Sequence, residues 1–154
     1  MLQSFLISVL ISIFLVFTTS IIFYEILRFC WGILPKLKMK PRKRILVLVF
    51  FIFASHTICV WLYGITYYLM VEHLKIGGWQ DAAGVHFLSY IYFSAESYSS
   101  LGLNDLIPKD SFRFLAGVEA LNGLVLIGWS VSSTYLAMER FWTLHRRNNN
   151  HKEQ

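Results

Sequence analysis

Residues 85–108 read VHFLSYIYFSAESYSSLGLNDLIP, and this stretch decides the fold because it is apolar yet too short to cross a membrane as a helix. A helix over residues 85–98 would rise about 20 Å, against a hydrocarbon core of about 30 Å. Residues 99–108 contain Gly102 and Pro108 and predict non-helical backbone. At membrane depth such backbone is tolerated only where it is buried in protein or lines a water-filled cavity. We therefore expect a re-entrant half-helix followed by a loop.

Long apolar runs lie on both sides of this stretch, and another begins the chain. The sequence is 56% hydrophobic and 17% aromatic, which is typical of membrane proteins. The runs are Phe5–Tyr24, continuing to about Leu34, then Ile45–Val71 and Phe114–Met138, and each reaches the ~20 residues needed to cross a bilayer. The first run follows no basic segment and precedes no small-residue cleavage site, so we expect a spanning helix and not a signal peptide. The predicted fold is an all-α integral membrane protein with three spanning helices.

Positive charges lie beside these runs in two blocks. The first surrounds Pro35 and Pro41, and the second follows the last run. The basic residues of the two blocks are Lys36, Lys38, Lys40, Arg42, Lys43, Arg44, Arg140, Arg146, Arg147 and Lys152. Because basic loops stay in the cytoplasm, we expect the N-terminus outside, the C-terminus inside and residues 72–113 on the outer side of a plasma or inner membrane. The net charge of +5 thus reflects topology, and no nucleic-acid partner is expected.

The loop resembles a known motif once it is aligned from Phe93. The chain reads FSAESYSSLGLNDLIP, and the pore loop of the potassium-channel superfamily follows roughly W-S-x-x-T-x-T-T-V-G-Y-G-D-x-x-P, without a gap. The matching residues are Ser94, Ser97, Ser99, Ser100, Gly102, Asp105 and Pro108. Residues 115–129, LAGVEALNGLVLIGW, are similar to the inner helix of small bacterial members. The resemblance covers about Ile45 to Trp142 and leaves the first helix as an addition.

This resemblance implies a selectivity filter over residues 100–104, formed by Ser100, Leu101, Gly102, Leu103 and Asn104. In the family, main-chain carbonyls replace the water around a cation. A monovalent cation would be bound by the carbonyls of Ser100, Leu101, Gly102 and Leu103 and by the Ser100 hydroxyl. Alternate residues take positive φ so that the carbonyls face the axis, which Gly102 does without a Cβ penalty. We expect K⁺ to permeate, with Na⁺ left open, and no cofactor.

The filter departs from the family pattern at Leu103 and Asn104. Leu103 replaces a tyrosine that braces the filter in relatives, and Asn104 replaces the second glycine with a residue that visits the left-handed region less freely. We therefore expect a weakened preference for K⁺ over Na⁺. Selectivity for another cation and a non-conducting subunit that retains the fold remain alternatives. An enzyme is not expected, because the sequence shows no nucleophile–base or metal-ligand spacing, including at Cys30 and Cys59.

Further residues have roles implied by the alignment. Glu96 and Asp105 align with a pair that shares a proton behind the filter in some relatives, whereas the simpler reading makes them a helix-capping residue and a solvated acid. Gly123 falls at the hinge glycine of the inner helix. With that register, the cavity-lining residues are Leu124, Ile127, Val131 and Tyr135, and the serines at 130, 132 and 133 contact other helices.

Two polar residues inside the predicted spans stand outside the motif. His56 is expected to be a neutral, hydrogen-bonded interhelical histidine rather than a metal ligand. Glu119 is expected to brace the pore helix together with Asn122.

One pore loop per chain and no internal repeat imply a homotetramer, since a closed four-fold filter needs four loops. The predicted organisation is an N-terminal helix at 1–34, a basic cytoplasmic loop at 35–44, a pore module at 45–142 and a tail at 143–154. Within the pore module, the outer helix spans 45–71, the pore helix 85–98, the filter 99–105 and the inner helix 113–140. The expected partners are three further copies of the chain, the lipid bilayer and monovalent cations.

Overall fold

The computed structural model describes residues 2–80, 84–102, 106–109 and 111–150, with side chains as far as residue 141. It contains four α-helices, which we number in chain order as α1 (Leu2–Ile33), α2 (Pro41–Glu72), α3 (Phe87–Tyr98) and α4 (Ser111–Asn150). A short 3-10 turn, Leu34–Lys36, follows α1. Within the described residues the only strand-like pairing is an isolated bridge between Trp79 and Pro108. The predicted all-α fold is confirmed.

Three helices are long and apolar enough to cross a membrane, over Leu2–Lys36, Pro41–Glu72 and Ser111–Phe141. Their outward faces carry large apolar side chains, such as Phe14 and Phe17, which are 68% and 69% exposed in the single chain. In water such surface would be costly, but in lipid it needs no cover. The three predicted spans therefore correspond to α1, α2 and the first part of α4. The helix α4 continues to Asn150, so residues 143–150, which were predicted as part of the tail, are helical.

The start of α2 differs from the predicted boundary. Pro41 occupies the first helical position, where its fixed φ suits the helix and its missing N–H removes no bond. Residues 41–44, which were predicted as part of the basic loop, therefore form the first turn of α2. From that turn Arg44 donates through Nη2 to the Leu37 carbonyl at 2.8 Å. The connection between the two helices is thus shorter than the sequence suggested.

The helix α1 packs lengthwise against α4 and runs parallel to it. Its buried residues form one stripe, consisting of Ser8, Ser12, Leu15, Thr19, Phe23, Leu27 and Cys30. Contacts with α4 follow the same order along both helices: Phe5 meets Phe114, Thr19 meets Asn122, Tyr24 meets Trp129, and Trp31 meets Arg140. Small polar residues let the two helices approach closely. The extra helix is therefore an integral part of the fold.

The short helix α3 lies between α2 and α4, as expected for a re-entrant segment. Aromatic rings pack around its outer half, with Trp79 4.6 Å from Phe93 and Tyr67 5.1 Å from Phe112 between ring centroids. The segments before and after α3 are joined, because Gln80 N–H donates to the Ile107 carbonyl and Lys109 N–H to the Gly78 carbonyl, both at 2.9 Å. These two bonds therefore hold the chain before α3 next to the chain that follows the loop.

Candidate functional site: the loop after α3 and its supports

The C-terminus of α3 ends in a Schellman cap. Ser100 N–H donates to the Ser97 carbonyl at 3.0 Å, and Leu101 N–H donates to the Glu96 carbonyl at 3.1 Å. These two bonds satisfy carbonyls in the last turn of the helix, and the pattern needs a left-handed residue at the position after the C-cap. Ser100 holds that position with φ of 57°, which is uncommon for a residue with a Cβ.

Positive φ recurs at alternate residues of the loop, since Gly102 has φ of 66° two positions after Ser100. Ser100, Leu101 and Gly102 are all exposed in the single chain, and Leu101 is 65% exposed. An apolar side chain this exposed is available to contact lipid or another chain. Leu103, Asn104 and Asp105 of the predicted filter and its mouth lie outside the described residues.

Glu96 lies half-buried in the last turn of α3. Its Oε2 atom is buried and has no hydrogen-bond partner in the part of the chain that the structure describes. Its predicted partner, Asp105, is among the residues not described. The proposed carboxyl pair therefore stays a prediction.

A carboxyl group from α4 joins three helices at the middle of α3. Glu119 is fully buried, and its Oε1 lies 2.5 Å from the Ser94 hydroxyl of α3, while its Oε2 accepts from the Tyr67 hydroxyl of α2 at 2.7 Å. The Ser94 hydroxyl also lies 2.8 Å from the Val60 carbonyl of α2. Glu119 therefore braces the pore helix, as expected from the sequence.

A histidine connects the C-terminal end of α3 to the other helices. His56 Nδ1 lies 2.8 Å from the Tyr98 hydroxyl, and its Nε2 lies 2.7 Å from the Ser130 hydroxyl of α4. Ser130 donates its one proton to the Leu126 carbonyl at 2.9 Å, so it accepts from Nε2–H. Nδ1 is then the acceptor, and Tyr98 donates to it.

Burial raises the pKa of the Tyr98 hydroxyl above its ordinary value, with Cys59 adding to the effect, so the phenol keeps its proton. The Tyr98 hydroxyl can therefore donate to Nδ1 of a neutral His56. His56 is the neutral interhelical residue predicted from the sequence. Its two bonds join α2 to both α3 and α4.

A further polar contact ties α1 to the rest of the bundle. Asn122 Nδ2 donates to the Thr19 hydroxyl at 2.8 Å and lies 3.2 Å from the Tyr63 hydroxyl. Asn122 and Thr19 are both buried. The sequence identified Asn122 as a bracing residue, but the structure shows that it braces α1 and α2 and not α3.

Gly123 lies where α4 crosses the end of α3. A Cβ at this position would collide with the backbone of Tyr98, including its carbonyl oxygen. The helix α4 is continuous through Gly123. The residue therefore has a packing reason for lacking a side chain, and the hinge role implied by the resemblance stays a prediction.

The predicted cavity-lining residues share one face of α4. Leu124, Val131 and Tyr135 are 52%, 66% and 65% exposed in the single chain, and Ile127 is half-buried. Ser130 and Ser133 are buried away from this face, whereas Ser132, which was also predicted to contact another helix, is exposed in the single chain. The exposed face is thus free to line a cavity or to meet another subunit.

The sequence did not identify Tyr67, Tyr98 or Thr19 as members of these contacts. A polar atom within an apolar span must find a partner, which is the signal that marks such residues. The partner itself depends on how each helix is rotated. In the described residues there is no group of three or more His, Cys, Asp or Glu side chains placed to hold a metal ion.

Comparison with protein families gives one match. The model of a family described as "Ion channel" matches residues 46–140, which is more than half of the chain. The matched region runs from α2 through α3 and its loop into α4, and it leaves α1 outside. Comparison with curated proteins and with solved structures gives no match.

Proposed function

The chain belongs to this ion-channel family, a potassium-channel-like group with two spanning helices, as the loop motif predicted; we propose that it conducts monovalent cations down their electrochemical gradient. The conducting path is the loop after α3, with K⁺ as the main ion. The bound ion is held by the carbonyls of Ser100, Leu101, Gly102 and Leu103 and by the Ser100 hydroxyl. Asn104 completes the filter at its outer end.

One observation carries this proposal, namely positive φ at both Ser100 and Gly102. Alternation of this kind turns successive peptide planes so that their carbonyls face one side of the chain. The residues concerned are exposed in the single chain and follow directly on a capped helix. A backbone arranged in this way suits ion coordination, and the same left-handed Ser100 also completes the cap of α3.

Four copies of the chain are proposed to close the filter. A single loop offers carbonyls on one side of an ion, whereas a cation that leaves water needs ligands all round. The exposed Leu101 and the exposed face of α4 at Val131 and Tyr135 support burial by further copies. Four-fold symmetry places Leu124, Ile127, Val131 and Tyr135 around the cavity below the filter.

Selectivity is proposed to be weaker than in relatives with two filter glycines. Asn104 can enter the left-handed region but brings a side chain to the mouth of the pore. Leu103 lacks the phenol that would tie the filter to its surroundings. Both changes act on the outer ion sites, so we expect Na⁺ to permeate measurably beside K⁺.

The proposed orientation places the basic end of the bundle in the cytoplasm of a plasma or inner membrane. At that end the Arg44 guanidinium lies over the Phe141 ring at 5.5 Å, and that of Arg140 lies over the Trp31 ring at 5.7 Å. Arginine and tryptophan are typical of the membrane interface, and basic residues favour the inner side. The loop after α3 then opens to the outside.

The test is a reversal-potential measurement on purified protein in planar bilayers with K⁺ on one side and Na⁺ on the other. We expect a current whose reversal potential lies between zero and the K⁺ equilibrium potential. A reversal potential at the K⁺ equilibrium value would contradict the weakened selectivity. Absence of current and of ion flux in liposomes would instead favour a non-conducting subunit.

A further inference from the structure

The carboxyl group of Glu119 is enclosed at the point where α2, α3 and α4 meet. It is 0% exposed, and its two oxygens contact the hydroxyls of Ser94 and Tyr67. The position lies well within the membrane-spanning part of α4. A carboxylate here would be a charge removed from water, which is stable only with a cation or with enough donors.

No cation is available to Glu119 within the described part of the chain. In that part of the chain Arg28 pairs with Glu25, and no basic nitrogen lies within 4.0 Å of Glu119. The titratable groups that interact with it are Tyr63 and Tyr67 from α2 and Tyr98 from α3. These phenols are neutral at physiological pH.

Counting hydrogen atoms decides the state of the carboxyl group. The contacts to be bridged are Tyr67 to Oε2, Ser94 to Oε1 and Ser94 to the Val60 carbonyl. Tyr67 and Ser94 each have one hydroxyl hydrogen, so together they can bridge two of these three contacts. If Glu119 were ionised, one contact of Ser94 would set two oxygen lone pairs against each other.

A hydrogen on Glu119 completes the set. It is donated from Oε1 to the Ser94 oxygen, Ser94 donates to the Val60 carbonyl, and Tyr67 donates to Oε2. Each of the three contacts then contains one hydrogen, and the group carries no charge. We infer that Glu119 is a protonated carboxylic acid and that its hydrogen ties α4 to the pore helix, which makes Glu119 a positioning residue for the loop.

Ionisation would loosen this junction. Ser94 would have to turn its hydrogen toward Glu119 and give up the Val60 carbonyl, so α3 would lose one of its hydrogen bonds to α2. The effect on conduction rests on the proposed function, because it assumes that the loop after α3 is the ion path. The protonation state itself does not depend on conduction and can be measured separately.

Infrared difference spectroscopy tests the protonation state. Spectra of the purified wild-type protein in lipid vesicles at neutral pH are compared with those of Glu119→Gln. We expect the wild type to show the C=O stretch of a protonated carboxylic acid, which is absent from the variant. A difference confined to carboxylate bands would overturn the inference.

Glu25→Gln is the matched control. Glu25 is exposed and paired with Arg28 at 3.3 Å, so its difference spectrum is expected to show loss of carboxylate bands. Should Glu119→Gln fail to fold, the band of the protonated acid is sought in protein labelled with ¹³C-glutamate. The label is used in a Glu96→Gln background, because Glu96 is half-buried near the loop and could give a similar band. A band that shifts with the label supports the inference, and its absence overturns it.

Thermal unfolding provides a second readout. A glutamine at 119 can donate from its amide to Ser94 and accept from Tyr67, so its unfolding temperature should stay close to that of the wild type. Glu119→Leu can do neither and should unfold at a clearly lower temperature. Equal losses for both variants would show that a neutral donor at this position is not what holds α3.

Discussion

Gly123 of α4 lies directly against the carbonyl of Tyr98, so the inner helix and the end of the pore helix meet backbone to backbone. A side chain at position 123 would have to displace the last residue of α3. Since the loop begins two residues later, its position depends on this contact. The glycine is therefore expected to matter for packing even if α4 never bends.

Gly123→Ala tests this contact. The added methyl group meets backbone, which cannot rotate away, so we expect a loss of about 1–3 kcal/mol in stability together with a fall in ion flux. Gly128→Ala is the matched control, because a Cβ there meets no atom within 4 Å. Unfolding temperature and liposome flux are measured for both. Equal stability of the two variants would contradict the close approach, whereas an effect on gating alone would support a hinge.

The bond between His56 and Tyr98 is tested by a double-mutant cycle. His56→Leu leaves the Tyr98 hydroxyl without its acceptor, at a cost of roughly 1–3 kcal/mol. Tyr98→Phe removes the hydroxyl, so the double variant should lose less unfolding free energy than the two single variants lose together. Thermal unfolding in detergent gives the three values. Simple additivity would mean that the two side chains do not interact.

Thr19 is expected to hold α1 against α4 through its contact with Asn122. Thr19→Val keeps the shape and removes the acceptor, so we expect a loss of about 0.5–1.5 kcal/mol, in the range of interhelical hydrogen bonds in membranes. Thr19→Ser should restore most of it. Thr18→Val, at the neighbouring position, serves as the control, and an equal loss there would argue against a specific contact. Unfolding temperature is again the measurement.

Gly102→Ala tests the left-handed backbone of the loop. Gly102 has φ of 66° and open space around it, so the added methyl group acts through backbone strain of about 1–2 kcal/mol and not through a collision. We expect ion flux to fall while the protein still folds. Gly84 has φ of 82°, also with open space, and lies before α3. Gly84→Ala carries similar strain, and it should leave flux unchanged if the loop after α3 is the ion path.

Much of the fold follows from the sequence because lipid imposes simple requirements. Apolar length predicted the three spans, and the short apolar run before Gly102 predicted α3. The boundary at Pro41 was missed because a run of charged residues was taken as loop, although proline suits the first turn of a helix. The positive charges predict that this connection lies on the cytoplasmic side, but they do not predict the residue at which α2 begins.

The supporting contacts could be predicted only in part. His56 and Glu119 stand out because an ionisable group inside a span needs a partner. Their partners do not stand out, since Ser130 is 74 positions from His56 and the choice depends on helix rotation. Ser100 is a similar case. The cap of α3 requires a left-handed backbone at this position, where glycine is the usual residue, so the positive φ of a serine could not be predicted from its residue type.

The parallel pairing of α1 with α4 sets an order for biosynthesis. Thr19 and Asn122 are 103 positions apart, so at 5–20 residues per second α1 leaves the ribosome roughly 5–20 s before its partner exists. During that interval two of its buried hydroxyls already have partners within the helix, because Ser12 donates to the Ser8 carbonyl and Thr19 to the Leu15 carbonyl, both at 2.7 Å. Ser12 and Thr19 can therefore stay in lipid without exposed hydroxyl hydrogens until the last helix is inserted beside α1.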